Sequence, residues 1–269
     1  MIRKISVEID GVDYEVPQEI NIMMYAEVMR RFSLSETEVE KTFDLLTVIL
    51  GIPYSVLREL NPEKLVELSR YIESKIENND VKYIDTFKFK DVEYGGLNLN
   101  KMTFGEYVDL ASYMRNEPSV YTNINKICSI LYRPVKEKKG NKYKIVEYDL
   151  DQQEEQWETF KELPLKYFIG SFRNIFTYLT QIKKEYEVLF GEDRLDIPQN
   201  DPDNRDEKDE SNLPWYKMIM ALTGEDFTKI EYVTRRPIVE CFNHLTYLSI
   251  KNEEFKQDML QKQNKMNLM

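Results

Sequence analysis

The side chains that could do chemistry are few and far apart in this chain. His244 is the only histidine, three residues after Cys241, and Cys128 is the only other cysteine. One His and two Cys cannot complete a four-ligand zinc site without carboxylates, and no second ligand pair has the needed spacing. A Cys–His nucleophile needs its thiol at a helix N-terminus or in a pocket. Cys241 instead falls among the apolar positions Ile238, Leu245 and Leu248, so a core or interface role is expected for it and for His244. No G-x-x-x-x-G-K, G-x-G-x-x-G or G-x-S-x-G pattern occurs, so neither a phosphate cradle nor a nucleophile elbow is expected. Asp201, Asp203 and Asp206 have a faint look of a calcium loop, but the central Gly is missing and Asn212 stands where the bidentate Glu should be. Catalytic residues, cofactors and metals are therefore all expected to be none.

Binding chemistry is better represented. Arg133, Lys136, Lys138, Lys139, Lys142 and Lys144 crowd one short segment edged by Tyr132 and Tyr143. This local basic patch could touch nucleic acid or an acidic partner loop, although a solvated hairpin tip is the preferred reading. Aromatic and Met side chains gather on helical segments, and Tyr107, Met114, Trp215, Tyr216 and Met218 are the candidates for receiving a partner helix. Ordinary core packing remains the better account of any one of them.

These residues must be positioned by a mainly helical scaffold. Gly and Pro are scarce, at 9 and 10 of 269 residues, which suits long helices. The formal net charge of −11 disfavours general binding to phosphate backbones and favours basic or apolar protein partners. Two widely separated cysteines imply no disulfide framework, and a reducing cytosol fits best. The charged, alternating start MIRKISVEID does not read as a signal peptide. No stretch reaches the roughly 20 apolar residues that span a bilayer, so no membrane partner is expected.

Along the chain, Ile5, Val7 and Ile9 alternate with polar residues, Asp10-Gly11 turns, and Val12, Tyr14 and Val16 alternate again, which predicts a hairpin. A helix is predicted over 22–32. Ser35 with Glu38 predicts a capping box for the next helix, and Asn61-Pro62 opens another. Residues 86–99 read as a second strand pair, with Gly95-Gly96 as its turn. Thr103 and Glu106 form a second capping box before Phe104, Tyr107, Val108, Ala111 and Met114. One helix carries Val120, Ile124, Ile127 and Leu131. A strand follows over 142–149. Leu165, Phe168, Phe172, Ile175, Leu179, Ile182, Tyr186 and Leu189 form one long core-facing helix, its stripe widened by Ile169 and Phe176. Beyond residues 192–213, an acidic linker, Leu213-Pro214-Trp215 opens a helix, Thr228 with Glu231 caps a second, and Pro237 opens a third. The tail QKQNKMNLM is expected to fray.

The pattern of hairpin, capped helix, second helix and proline occurs twice. IDGVDY at 9–14 matches FKDVEY at 89–94; Asn21, Ile22, Tyr25 and Ala26 match Thr103, Phe104, Tyr107 and Val108; Leu46, Ile49, Leu50 and Pro53 match Ile127, Ile130, Leu131 and Pro134. A near-constant offset favours duplication of a ββαα unit over a chance alignment of two amphipathic patterns. The expected fold class is α+β, predominantly helical: a first ββαα unit over 1–80, a second with an added strand and long helix over 81–191, the linker, and a helical segment over 214–269.

The segment LNLNKMTFGEYVDLASYM, residues 97–114, resembles a signature of baseplate-hub and tail assembly chaperones of tailed phages. The matching residues are Met102, Thr103, Gly105, Glu106, Tyr107, Val108, Asp109 and Leu110. ILYRPV at 130–135 and FNHLTYLSIKNEEF at 242–255 are similar to proteins of this group as well. The resemblance implies a non-enzymatic protein, made in the host cytoplasm, that holds apolar segments of hub or tape-measure proteins until the tail is built. Its partners would be other tail or baseplate proteins, with a homo-oligomer open. The runner-up is a structural virion component such as a neck, tail or baseplate adaptor. A regulator that binds nucleic acid through the 133–144 segment and an enzyme of unrecognised type rank below both.

Overall fold

The structure, a computed structural model, describes residues 5–77, 82–149, 153–190 and 213–266. It is an α+β fold, mainly helical, with two small antiparallel sheets. Strands β1 (Ile5–Ile9) and β2 (Val12–Val16) form the first sheet. Helices α1 (Ile22–Phe32), α2 (Glu38–Leu50), α3 (Tyr54–Glu59) and α4 (Pro62–Glu77) follow. Next come β3 (Thr86–Phe89), β4 (Val92–Gly96), α5 (Phe104–Tyr113), α6 (Glu117–Thr122), α7 (Ile124–Leu131), β5 (Tyr132–Lys139) and β6 (Lys142–Ile145). The second sheet has the order β3-β4-β5-β6, antiparallel throughout. The remaining helices are α8 (Glu154–Phe160), α9 (Leu165–Glu185), α10 (Glu187–Phe190), α11 (Leu213–Thr223), α12 (Ile230–Thr234) and α13 (Ile238–Met266).

Contacts divide the chain into two units that are not consecutive in sequence. One holds residues 1–97 and 113–174, the other 98–112 and 175–269. The expected boundary at 80/81 therefore does not coincide with a compact unit. The reason lies in the strand pairing: β4 pairs with β5, which follows α7 directly, so the second hairpin stays in the first unit while α5 belongs to the second. The repeated order of elements is present. Both hairpins turn on two consecutive residues of positive φ, Asp10-Gly11 (51° and 75°) and Lys90-Asp91 (45° and 65°), as a type I′ turn requires. As a packing unit, however, ββαα is not repeated: α7 rests on α1, which also packs against α2 and α6.

Local corrections have local causes. The turn of the second hairpin is Lys90-Asp91; Gly95 and Gly96 lie inside β4, where the rings of Tyr143 and Tyr83 occupy the space a Cβ would need. The capping box of α2 is Thr37 with Glu40, two residues later than the expected pair. Ser35 matches the same spacing, but its hydroxyl donates to the buried Asp44 carboxylate at 2.6 Å. Asn123 splits the helix expected over 120–131 into α6 and α7. The long helix breaks after Glu185, and Phe176 is exposed rather than part of the buried stripe. Asp226, not Thr228, accepts the capping bond ahead of α12. Tail residues 261–266 continue α13 instead of fraying. Apart from Leu213, the acidic linker and its Asp201, Asp203 and Asp206 lie outside the described residues.

One arrangement occurs in both units. In the first, Asn21 and Pro164 form an isolated antiparallel bridge: the Ile22 amide donates to the Leu163 carbonyl at 2.9 Å, and the Leu165 amide to the Ile20 carbonyl at 2.8 Å. In the second, Thr103 and Pro237 do the same: Phe104 donates to Arg236 at 2.8 Å, and Ile238 to Met102 at 2.9 Å. Each bridge joins the first residues of two helices, α1 with α9 and α5 with α13. The amides it satisfies are ones that a helix N-terminus leaves without an intrahelical acceptor. Asn21 and Thr103 then cap the next amides of their helices, bonding Met24 and Glu106 respectively.

The first unit is packed around aromatic rings. Phe87 stacks on Tyr167 at 4.1 Å and meets Tyr132 edge-on at 4.9 Å, and the Tyr132 hydroxyl donates to the Ile84 carbonyl at 2.9 Å. A polar network lies at its α1–α2 side. The buried Asp44 accepts from Tyr54 at 2.5 Å, and Arg31 lies 3.5 Å away. Bonds from Arg30 and then Arg31 hold the Glu27 carboxyl down at about 2. Residues 82–83 lie directly on α9 at Gly170, where a Cβ would stand 2.3 Å from the Lys82 carbonyl oxygen and 2.8 Å from the Tyr83 nitrogen. Backbone atoms cannot swing aside as a side-chain tip can. Gly170→Ala is therefore expected to lower stability by about 1–3 kcal/mol in denaturant unfolding; an unchanged midpoint would show that this backbone yields freely.

Candidate functional site

The second unit is organised by α13 and what lies on its first three turns. Phe242 is buried at the centre of an aromatic cluster, with Tyr107 at 5.1 Å, Tyr186 at 5.2 Å, Phe190 at 5.3 Å and Phe104 at 5.9 Å. Trp215 meets Tyr107 edge-on at 5.4 Å. Gly105 lets α5 approach Thr234, whose carbonyl would stand 3.2 Å from an added Cβ. Of the apolar positions expected to share one face on the first part of α13, Ile238, Cys241 and Leu245 are buried and Leu248 is half-buried. Burial, and then the nearby Glu240 carboxylate, push the Cys241 thiol up to about 11; burial raises the Cys128 thiol well above its usual range. Both are poor nucleophiles, because the thiolate is the reactive form. His244 is exposed and points away from this core, so it does not join Cys241 there.

The residues expected to receive a partner are scattered. Tyr107 is only 1% exposed and Met218 is buried, so both are core residues of the second unit. Trp215 is half-buried beside Tyr107, and Tyr216 is exposed. Met114 is half-buried and belongs to the first unit. Tyr216 alone keeps an open apolar face. The basic segment fares no better as a patch. Arg133 is buried, with its guanidinium 5.8 Å from the centre of the Tyr148 ring. Lys136, Lys138, Lys139 and Lys142 are exposed on the β5–β6 hairpin, and Lys139 pairs across it with Lys142. Acids are interleaved: Lys138 forms an ion pair with Glu93, and Lys144 with Glu137 at 2.8 Å. This is the solvated hairpin tip that the sequence favoured.

The surface that does stand out is the distal part of α13. Its buried face ends near Ser249, but the apolar pattern continues. Leu248, Asn252, Phe255, Met259, Lys262 and Met266 alternate steps of four and three, the spacing of a coiled-coil seam. Phe255 is 66% exposed, Met259 52% and Met266 70%. Phe227 and Tyr232, near the start of α12, are exposed as well. In sequence, Phe255 and Met259 share helical spacing with Cys241 and Leu245, which does not by itself separate an open position from a buried one. The signal that separates them is the change in the residues between: beyond Leu248 the intervening positions are mostly Lys, Glu, Gln, Asn or Asp, with the exposed Ile250 and Leu260 as apolar exceptions.

Among the described residues no group of His, Cys, Asp and Glu is placed to hold a metal ion. No helix there is long and apolar enough to cross a membrane. Compared with known proteins, the chain matches no family model, no curated protein and no solved structure. The thiol geometry gives a direct check. A disulfide reagent at pH 8 should label neither Cys128 nor Cys241 in the native protein and both in denaturant; rapid native labelling would show that the cores around them open readily.

Proposed function

We propose that this chain is a non-enzymatic assembly protein of a phage tail or baseplate, which holds apolar segments of its partners through exposed helical surface. The observation that carries the reading is the distal part of α13, where Phe255, Met259 and Met266 follow one seam and remain open to solvent. A folded monomer rarely leaves a contiguous apolar stripe without a use for it. The choice of a tail protein rests on the resemblance of residues 97–114 to tail assembly chaperones.

The structural roles of those matched residues define what that resemblance can carry. Met102 supplies a bridge carbonyl, Thr103 and Glu106 close the capping box, Gly105 admits Thr234, and Tyr107 and Leu110 are buried. They are the residues that seat α5, so the resemblance speaks for a shared structural element and assigns no client-binding residue. The acidic balance of the chain supports the same role, because an exposed apolar seam needs charge elsewhere for solubility.

Mass spectrometry of purified phage particles beside infected-cell lysate tests the proposal. Abundant peptides in the lysate and none in the particles are expected of an assembly factor working in the host cytoplasm. Stoichiometric copies in particles would replace it with the structural-component reading. Absence from both would overturn the phage assignment.

A further inference from the structure

We draw no further inference here: the strongest candidate, the exposed seam along the distal part of α13 at Phe255, Met259 and Met266, is flanked by Lys251, Lys256 and Asp258 alike, and nothing in the structure shows what covers it.

Discussion

Two helices that begin at the same point create a problem of unsatisfied donors. The first amides of an α-helix have no carbonyl one turn back to receive them, and bringing two helix N-termini together also brings two positive dipole ends together. This protein solves it by letting each helix accept the other's first amide on the residue just before its cap. Ile22 and Leu165 exchange bonds in this way with Leu163 and Ile20, and Phe104 and Ile238 with Arg236 and Met102. Pro164 and Pro237 fit the cap position of the longer helices because a proline has no amide to leave unpaired there. Carboxylates stand close by: Glu19 pairs with Lys166, and Glu106 closes the capping box at Thr103.

Much of each unit depends on that start. Once α1 and α9 diverge from one bridge, Gly170 lies where residues 82–83 can press on α9, and the rings of Phe87, Tyr132 and Tyr167 fill the remaining space. Once α5 and α13 diverge from the other, Phe104 and Tyr107 meet Phe242, and Gly105 meets Thr234. The stretch of α13 that the bridge and this cluster can hold ends near Ser249. Everything beyond it is helix supported by its own hydrogen bonds and left open on its apolar side. The candidate docking surface is thus a consequence of how far the second unit's core extends along its longest helix.

The sequence revealed local structure well and assembly poorly. The first hairpin turn at Asp10-Gly11, the caps at Asn61 and Thr103, and the openings of α9, α11 and α13 were legible because each depends on a few neighbouring residues. The split of the second hairpin from α5 was not, because it depends on β4 finding β5 some 40 residues later, a pairing that leaves no mark at the positions themselves. The repeat was legible in part. Asn21 and Thr103 were matched as equivalent positions, but their partners in the bridges, Pro164 and Pro237, lie far along the chain; only Pro237 stood out in the sequence, as a helix opening. Burial was the hardest to read. Tyr107 and Phe255 both occupy apolar helical stripes, yet one is enclosed by Phe242 and Trp215 and the other, among the described residues, stays 66% exposed.

The account stands on the two bridges, and amide hydrogen exchange on the native protein measures them directly. Amides at the first residue of a helix ordinarily exchange fast, since they lack an intrahelical acceptor. The account predicts that Ile22, Leu165, Phe104 and Ile238 exchange as slowly as the buried middle turns of their helices. Fast exchange at these four, with slow exchange in the turns that follow, would contradict it.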